Sequence, residues 1–168
     1  MDDKKKLKVY LDSSVPSHLQ TFDRPDWMRD TLLFWEILKN GKYQIFLSDI
    51  VMKEIYRCHE PKLGFMINEL NKIQFTVISL NEEIERLASI FVKLKILRAQ
   101  DIDDCLHLAS AMYSECDILV SWNFSHMVTH TTIEGVKVIS KTEGYKEISI
   151  YCPSILIGDK NETELKNK

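Results

Sequence analysis

Short apolar runs rich in β-branched and aromatic residues recur along the chain, and a segment of helical periodicity follows most of them. The runs are 7–11 (LKVYL), 43–47 (YQIFL), 75–80 (FTVISL), 117–121 (DILVS) and 136–140 (VKVIS). Each is too short for a buried helix and reads as a strand covered on both faces. Between them the spacing of apolar residues changes to that of a helix. Ser13-Ser14 can cap a helix directly after the first run. Pro25 opens a longer one, with Trp27, Thr31, Phe34 and Leu38 on one stripe and Asn40-Gly41 at its end. Ser48-Asp49 starts the next, carrying Ile50, Val51, Glu54 and Ile55; Pro61 interrupts it, and apolar periodicity resumes through Leu70. Asn81 caps a strongly amphipathic helix with Ile84, Leu87, Ala88, Phe91 and Leu94 inside. Asp101 opens another that buries Ile102, Cys105, Leu106, Ala109, Met112 and Tyr113, and a short helix is expected over 124–128.

Strands that alternate with helices pair in parallel, because a parallel neighbour requires a crossover long enough to hold a helix. The expected fold is therefore α/β, a three-layer α/β/α sandwich around a mainly parallel sheet. Residues 1–6 read as a polar lead-in, 7–157 as one domain and 158–168 as a polar tail. Within the domain, 148–157 is apolar but broken by Pro153, as an edge strand or a docking arm would be.

With 168 residues and 45% hydrophobic content, the chain can bury a core without disulfides or a structural metal. Its net charge of −3 excludes a protein that coats nucleic acid through bulk positive charge, so any RNA contact must be local. Cys58, Cys105, Cys116 and Cys152 form no CxxC and read as reduced structural thiols. The charged N-terminus leads into no apolar signal segment, and no stretch is apolar enough to span a membrane. A cytoplasmic protein is expected, in which the sequons at Asn123 and Asn161 are chance matches. Dinucleotide and phosphate-binding glycine loops, HExxH and GxSxG are all absent from the sequence.

In open parallel sheets, sites lie beyond the carboxyl ends of the strands. That rule points to Asp12, to Ser48–Glu54 and to Ser121–Asn123. Asp104 lies in the first turn of its own helix, beside Asp101 and Asp103. Acids gathered from separate elements repel one another unless a cation is present, and hard divalent cations take oxygen ligands. Simpler readings stand beside this one. Asp101 and Asp104 resemble a capping pair that suits the positive end of a helix, and Glu54 could be a solvated face. Asp12 is harder to account for by packing, since it ends an apolar strand. His107 reads as a satisfied interior histidine in preference to a catalytic one. The Trp27, Phe34 and Trp35 stripe reads as core or a dimer face in preference to a base-stacking platform. Lys4, Lys5 and Lys6 read as solvated, whereas Lys53 and Arg57, which flank Glu54, are better placed for substrate contact.

Three blocks carry a resemblance to a known family. DDCLHLASAMYSECDILVSWNFSHMV (103–128) resembles the PIN-domain signature, in which an Asp-x-Leu-His-x-Ala helix precedes a strand and a Trp-Asn-Phe or Thr-x-Asp turn. KVYLDSSVPSHL (8–19) is similar to the family's first strand, its acid and the hydroxyl residue after it, and SDIVMKEIYR (48–57) to the segment that supplies the second acid. The blocks occur in family order and span most of 7–140. The resemblance implies a ribonuclease that uses Mg²⁺ or Mn²⁺, of the VapC-like and PilT N-terminus-like group, many of whose bacterial members are toxins restrained by a small antitoxin. It implies RNA as substrate and a homodimer as a common assembly. Carried onto this chain, the acids are Asp12, Glu54 and Asp104, which hold the metal, and Ser13 and Ser121 are the hydroxyls that orient ligands or water. The family's fourth acid falls at Asn123, a departure that would weaken a second metal; Asp101 or Asp103 could compensate. That departure supports an alternative, a non-catalytic PIN-like module that binds RNA or protein. A further alternative is an interaction protein whose apolar end, Ile155-Leu156-Ile157, meets a partner.

Overall fold

The computed structural model describes residues 5–158, so the start of the lead-in and the tail from 159 onward lie outside the described residues. In chain order the elements are β1 (Lys8–Leu11), α1 (Ser14–Ser17), α2 (Pro25–Lys39), β2 (Gln44–Ser48), α3 (Asp49–Tyr56), α4 (Lys62–Leu70), β3 (Phe75–Ile78), α5 (Glu82–Lys93), α6 (Ile102–Tyr113), β4 (Ile118–Val120), α7 (His130–Glu143), β5 (Ser149–Tyr151) and α8 (Pro153–Leu156). All five strands are parallel, in the order β3-β2-β1-β4-β5. β1 is central: Val9 faces Ile45 of β2 on one side and Ile118 of β4 on the other, and Val9, Tyr10 and Leu11 are fully buried.

The chain runs outward from β1 to β2 and β3, then crosses back to β4 on the other side of β1. Right-handed crossovers put the helices of these two excursions on opposite faces of the sheet. α5 packs along α6 on one side, and α2 packs against α8 on the other, which completes the expected three-layer sandwich. The reversal of strand order between β1 and β4 opens a crevice at their carboxyl ends. No helix among the described residues is long and apolar enough to cross a membrane. All four cysteines are free, three of them buried.

Helix boundaries follow their chemistry. The Asn81 side chain accepts from the Ile84 amide at 3.0 Å, and α2 starts on Pro25 and ends before Gly41, whose φ of 70° is open to glycine. Leu94, Ile102 and Tyr113, expected on the buried stripes of their helices, are exposed at the helix ends, and three further expectations need correction. The 136–140 segment is not a strand but part of α7. Thr129 caps that helix by accepting from Thr132, and the helix buries Thr132, Val136, Ile139 and Ser140 while Val138 stays exposed. A strand would have buried Val138 with Val136, so the tertiary pattern overrides the local β propensity. The fifth strand is instead β5, the edge-strand reading of 148–157, and Pro153 opens α8 immediately after it. Residues 124–128 form a turn rather than a helix, with the Met127 and Val128 amides both donating to the Asn123 carbonyl, at 3.0 and 2.9 Å. Finally, Ser13, Ser48 and Asp101 make no side-chain cap on the helices that follow them; the Asp101 carboxylate pairs with Arg98 at 2.8 Å.

Two stability predictions arise from the packing of α7. A Cβ on Gly135 would lie 2.6 Å from Cδ1 and 2.8 Å from Cγ2 of Ile96. Gly135→Ala is expected to cost about 1–3 kcal/mol by overpacking, against a gain in helix propensity of about 1 kcal/mol. Urea unfolding reads the net loss, and a more stable variant would contradict the close approach. At the other end of α7, Arg86 bridges Glu83 and Glu143 at 2.8 and 2.7 Å, and the Tyr145 hydroxyl donates to Glu83 at 2.8 Å. The Arg86 and Tyr145 hydrogen bonds hold the Glu83 carboxyl down to about 2. A folded value depressed in this way stabilises above the unfolded value near 4.5 and is lost as pH falls toward 2. Glu83→Gln should therefore lower Tm at neutral pH, and the difference should close across that acid window. A difference that persists below pH 2 would contradict the pairing.

Candidate active site

β1 delivers Asp12 to the crevice. Its amide extends the ladder by donating to the Val120 carbonyl at 3.1 Å, which fixes the backbone, and the residue is only 5% exposed. Three hydroxyls reach it. Ser121, directly after β4, donates to Oδ2 at 2.5 Å, Ser14 to the same oxygen at 2.9 Å, and Ser13 to Oδ1 at 3.3 Å. The single Ser13 proton is shared with Glu54, its nearer acceptor, which α3 presents from its second turn. Ser14 further accepts from the Trp122 amide at 2.9 Å and so ties the loop after β1 to the loop after β4.

Beneath the acids lies a buried polar chain. His107, on α6, places Nε2 at 3.2 Å from both Glu54 oxygens and 3.6 Å from Asp12. Its Nδ1 is 2.7 Å from the Tyr10 hydroxyl, which is in turn 2.6 Å from Ser48 Oγ. His107 is an interior, satisfied histidine, as its sequence suggested, but the groups that satisfy it are the acids of the site. Burial pushes its pKa down, and the Glu54 hydrogen bond with the charges of Asp12, Glu54 and Asp104 more than offsets this and holds it up. For Glu54, burial acts upward and is outweighed by the hydrogen bonds from His107 and Ser13, so the carboxyl stays below its ordinary range.

Asp104 stands across the cleft, one turn before His107 on α6. Burial raises its pKa and the Asp12 charge adds to this, while the hydrogen bond from His126 opposes both. His126 Nδ1 lies 2.8 Å from Asp104 and 3.9 Å from Asp101. Asn123 Nδ2 donates to Asp104 at 3.3 Å, and its Oδ1 accepts from the Ser125 and His126 amides at 3.2 and 3.0 Å. Its oxygen is thus spent on the turn that replaces the expected short helix, and its amide orients Asp104.

Asp12, Ser13, Glu54, Asp104 and Asn123 line one cleft of about 440 Å³, with Ser14, His18 and Trp122 among its other walls. Ser121 reaches it through Asp12. No lysine or arginine pairs with Asp12, Glu54 or Asp104 among the described residues. Donor atoms of Asp12, Glu54 and His107 lie within 4.8 Å of one another, as do those of Asp101, Asp104 and His126. A set of converging oxygen donors that no lysine or arginine pairs with fits a hard divalent cation such as Mg²⁺ or Mn²⁺. Asp103 is not brought into the cleft, and Asp101 is engaged with Arg98. Lys53 and Arg57 are exposed and do not line the cleft, although Arg57 is near enough for its charge to help hold Glu54 down. Sequence reasoning missed His126, Ser14 and Tyr10. It also placed Trp27 with the core residues Phe34 and Trp35, whereas Trp27 is only half buried and stacks on Trp122 at the cleft.

No protein-family model matches the sequence, and no curated protein matches it. The architecture itself is consistent with a PIN-like α/β/α sandwich. A similar solved structure is that of VapBC2 from Rickettsia felis bound to a DNA fragment from their promoter. It aligns with a TM-score of 0.54 at 14% identity, over 87% of this chain and 98% of that chain. The likeness is one of fold, and it supports the PIN-like architecture that the three sequence blocks imply.

Proposed function

We propose that the chain is a divalent-metal-dependent endoribonuclease of the PIN type. The observation that carries this reading is the convergence of Asp12, Glu54 and Asp104 on one cleft without a lysine or arginine to neutralise them. Asp12 and Asp104, with Glu54, would hold Mg²⁺ or Mn²⁺. The cation would supply an activated water and neutralise charge on the phosphoryl oxygens. Ser13, Ser14 and Ser121 hold Asp12 and Glu54 in place, so little reorganisation is needed when substrate enters. Glu54, whose carboxyl His107 helps to hold below its ordinary range, would accept a hydrogen bond from that water. Asn123 orients Asp104 rather than serving as a fourth ligand, which supports one strongly held cation. Lys53 and Arg57, on the exposed side of α3, would meet the RNA backbone beyond the cleft. Products with a 5′-phosphate and a 3′-hydroxyl are expected.

The family resemblance and the likeness to VapBC2 support a toxin role with a small antitoxin as partner; a homodimer rests on the family resemblance alone. A small open reading frame next to this one in the genome belongs to that reading. One observation favours a second reading. Because the Asn123 oxygen is committed to its own turn, the chain could bind RNA or protein in the cleft without cutting.

The test is incubation of labelled single-stranded and hairpin RNAs with pure protein in Mn²⁺, in Mg²⁺ and in EDTA. Metal-dependent cutting with the stated ends is expected. RNA left intact in every metal, with binding retained, would move the protein to the second reading.

A further inference from the structure

Beside the acids, the cleft has an aromatic rim that the hydrolytic reading does not use. Trp122 is buried and fixed, its Nε1 donating to Thr31 at 2.9 Å. Trp27 stacks on it, with ring centroids 4.7 Å apart and planes 9° from parallel. His18 lies 5.4 Å from Trp27 and 5.8 Å from Trp122, and Phe124 lies 5.4 Å from Trp27. The cluster opens outward: Phe124 is 45% exposed, and Trp27 and His18 are half buried. Its inner members, His18 and Trp122, line the same cleft as Asp12 and Asp104. Positive charge accompanies the rings. Arg24 sits 4.4 Å from the Trp27 centroid, and Lys62 at the start of α4 is close enough to act on His18. Among the described residues neither Arg24 nor Lys62 forms an ion pair. Burial lowers the His18 pKa, the hydrogen bond to the Ser14 carbonyl opposes this, and the Lys62 and Arg24 charges push it down further.

An open ring, Phe124, backed by stacked rings and bordered by cations without ion pairs suits a nucleotide, whose base stacks on the ring while its phosphate meets the charge. A protein whose net charge is −3 needs such a local device to hold RNA. A duplex keeps its bases stacked within itself and cannot offer one to the rim. We infer that this rim is a stacking subsite for one unpaired nucleobase, with Phe124 as its open ring, Trp27 and His18 beside it, and Arg24 and Lys62 on the adjoining phosphate. The inference rests on the ribonuclease reading of the cleft for its substrate class, but it can be tested without cleavage.

The experiment measures fluorescence anisotropy of a labelled ten-nucleotide single strand, and of the same strand in a duplex, with Ca²⁺ in place of Mg²⁺. Phe124→Ala and Trp27→Leu should each weaken single-strand binding about tenfold, the order of one lost base–aromatic stack. Arg24→Ala should weaken it and flatten its salt dependence. Phe124→Trp should retain binding, which a merely structural role for the ring does not require. Duplex affinity should be unchanged in the Phe124 and Trp27 variants. Equal single-strand affinity in all variants, or no single-strand binding by the unsubstituted protein, would overturn the subsite. The two readings fail separately. If the aromatic variants lose binding but no preparation ever cuts RNA, the subsite stands and the nuclease falls. If all variants bind and cut alike, the nuclease stands and the subsite falls.

Discussion

Asp104→Asn is expected to abolish metal-dependent RNA hydrolysis while leaving the metal-free protein at least as stable as the unsubstituted one. Without a cation, Asp104 faces Asp12 across the cleft, and burial together with that charge holds its carboxyl above the ordinary range. A raised carboxyl costs the fold stability once it is ionised, so the cost is present at neutral pH and vanishes below the unfolded value near 3.8. An amide of the same shape removes it. Metal-assisted charge stabilisation is worth several kcal/mol, so losing this ligand should reduce kcat/KM by at least about a hundredfold. Thermal melts in EDTA at pH 7 and at pH 3.5, beside initial cleavage rates, read both effects. A less stable, fully active Asp104→Asn variant would remove Asp104 from the site.

His107→Leu is expected to act in the opposite sense and to destabilise strongly. The imidazole lies beneath Asp12 and Glu54 and is the only basic side chain that pairs with either among the described residues. Its loss strands two largely buried carboxylates and takes a partner from the Tyr10 hydroxyl. Removing one member of a buried ion pair costs about 3–5 kcal/mol; Glu54 is partly open to water, so the lower figure is expected. A divalent cation can replace the missing charge, and a ligand bound only by the folded state stabilises it. Mn²⁺ should therefore raise the Tm of the His107→Leu variant more than that of the unsubstituted protein. An equal shift in both would separate His107 from the acid cluster.

How far these residues could be read from the sequence depended on how local their determinants are. Asp12 was legible because an acid ending an apolar strand has no packing purpose, and Asn81 because a cap acts within three residues. The acid on α3 could be placed because parallel sheets concentrate sites at their carboxyl ends, whereas Asp104 on α6 follows from the family resemblance. The segment 136–140 misled because β-branched residues suit either element, and only Thr129 and the sheet decide between them. His126 stayed hidden because it reaches Asp104 through a turn that the Asn123 oxygen organises. Trp27 shares the stripe of Thr31, Phe34 and Leu38, yet it sits in the first turn of α2, where it meets Trp122 instead of the core. The links from Ser14 to Trp122 and from Tyr10 to His107 join residues about a hundred positions apart. No local pattern encodes them.

The most direct measurement is equilibrium binding of Mn²⁺, with the free ion read by electron paramagnetic resonance, to the unsubstituted protein and to the Asp12→Asn, Asp104→Asn double variant. Binding by the first and its loss in the second, with both equally folded, is the expected result. Equal binding by the two, or none by either at millimolar Mn²⁺, would contradict a cation centre in the cleft.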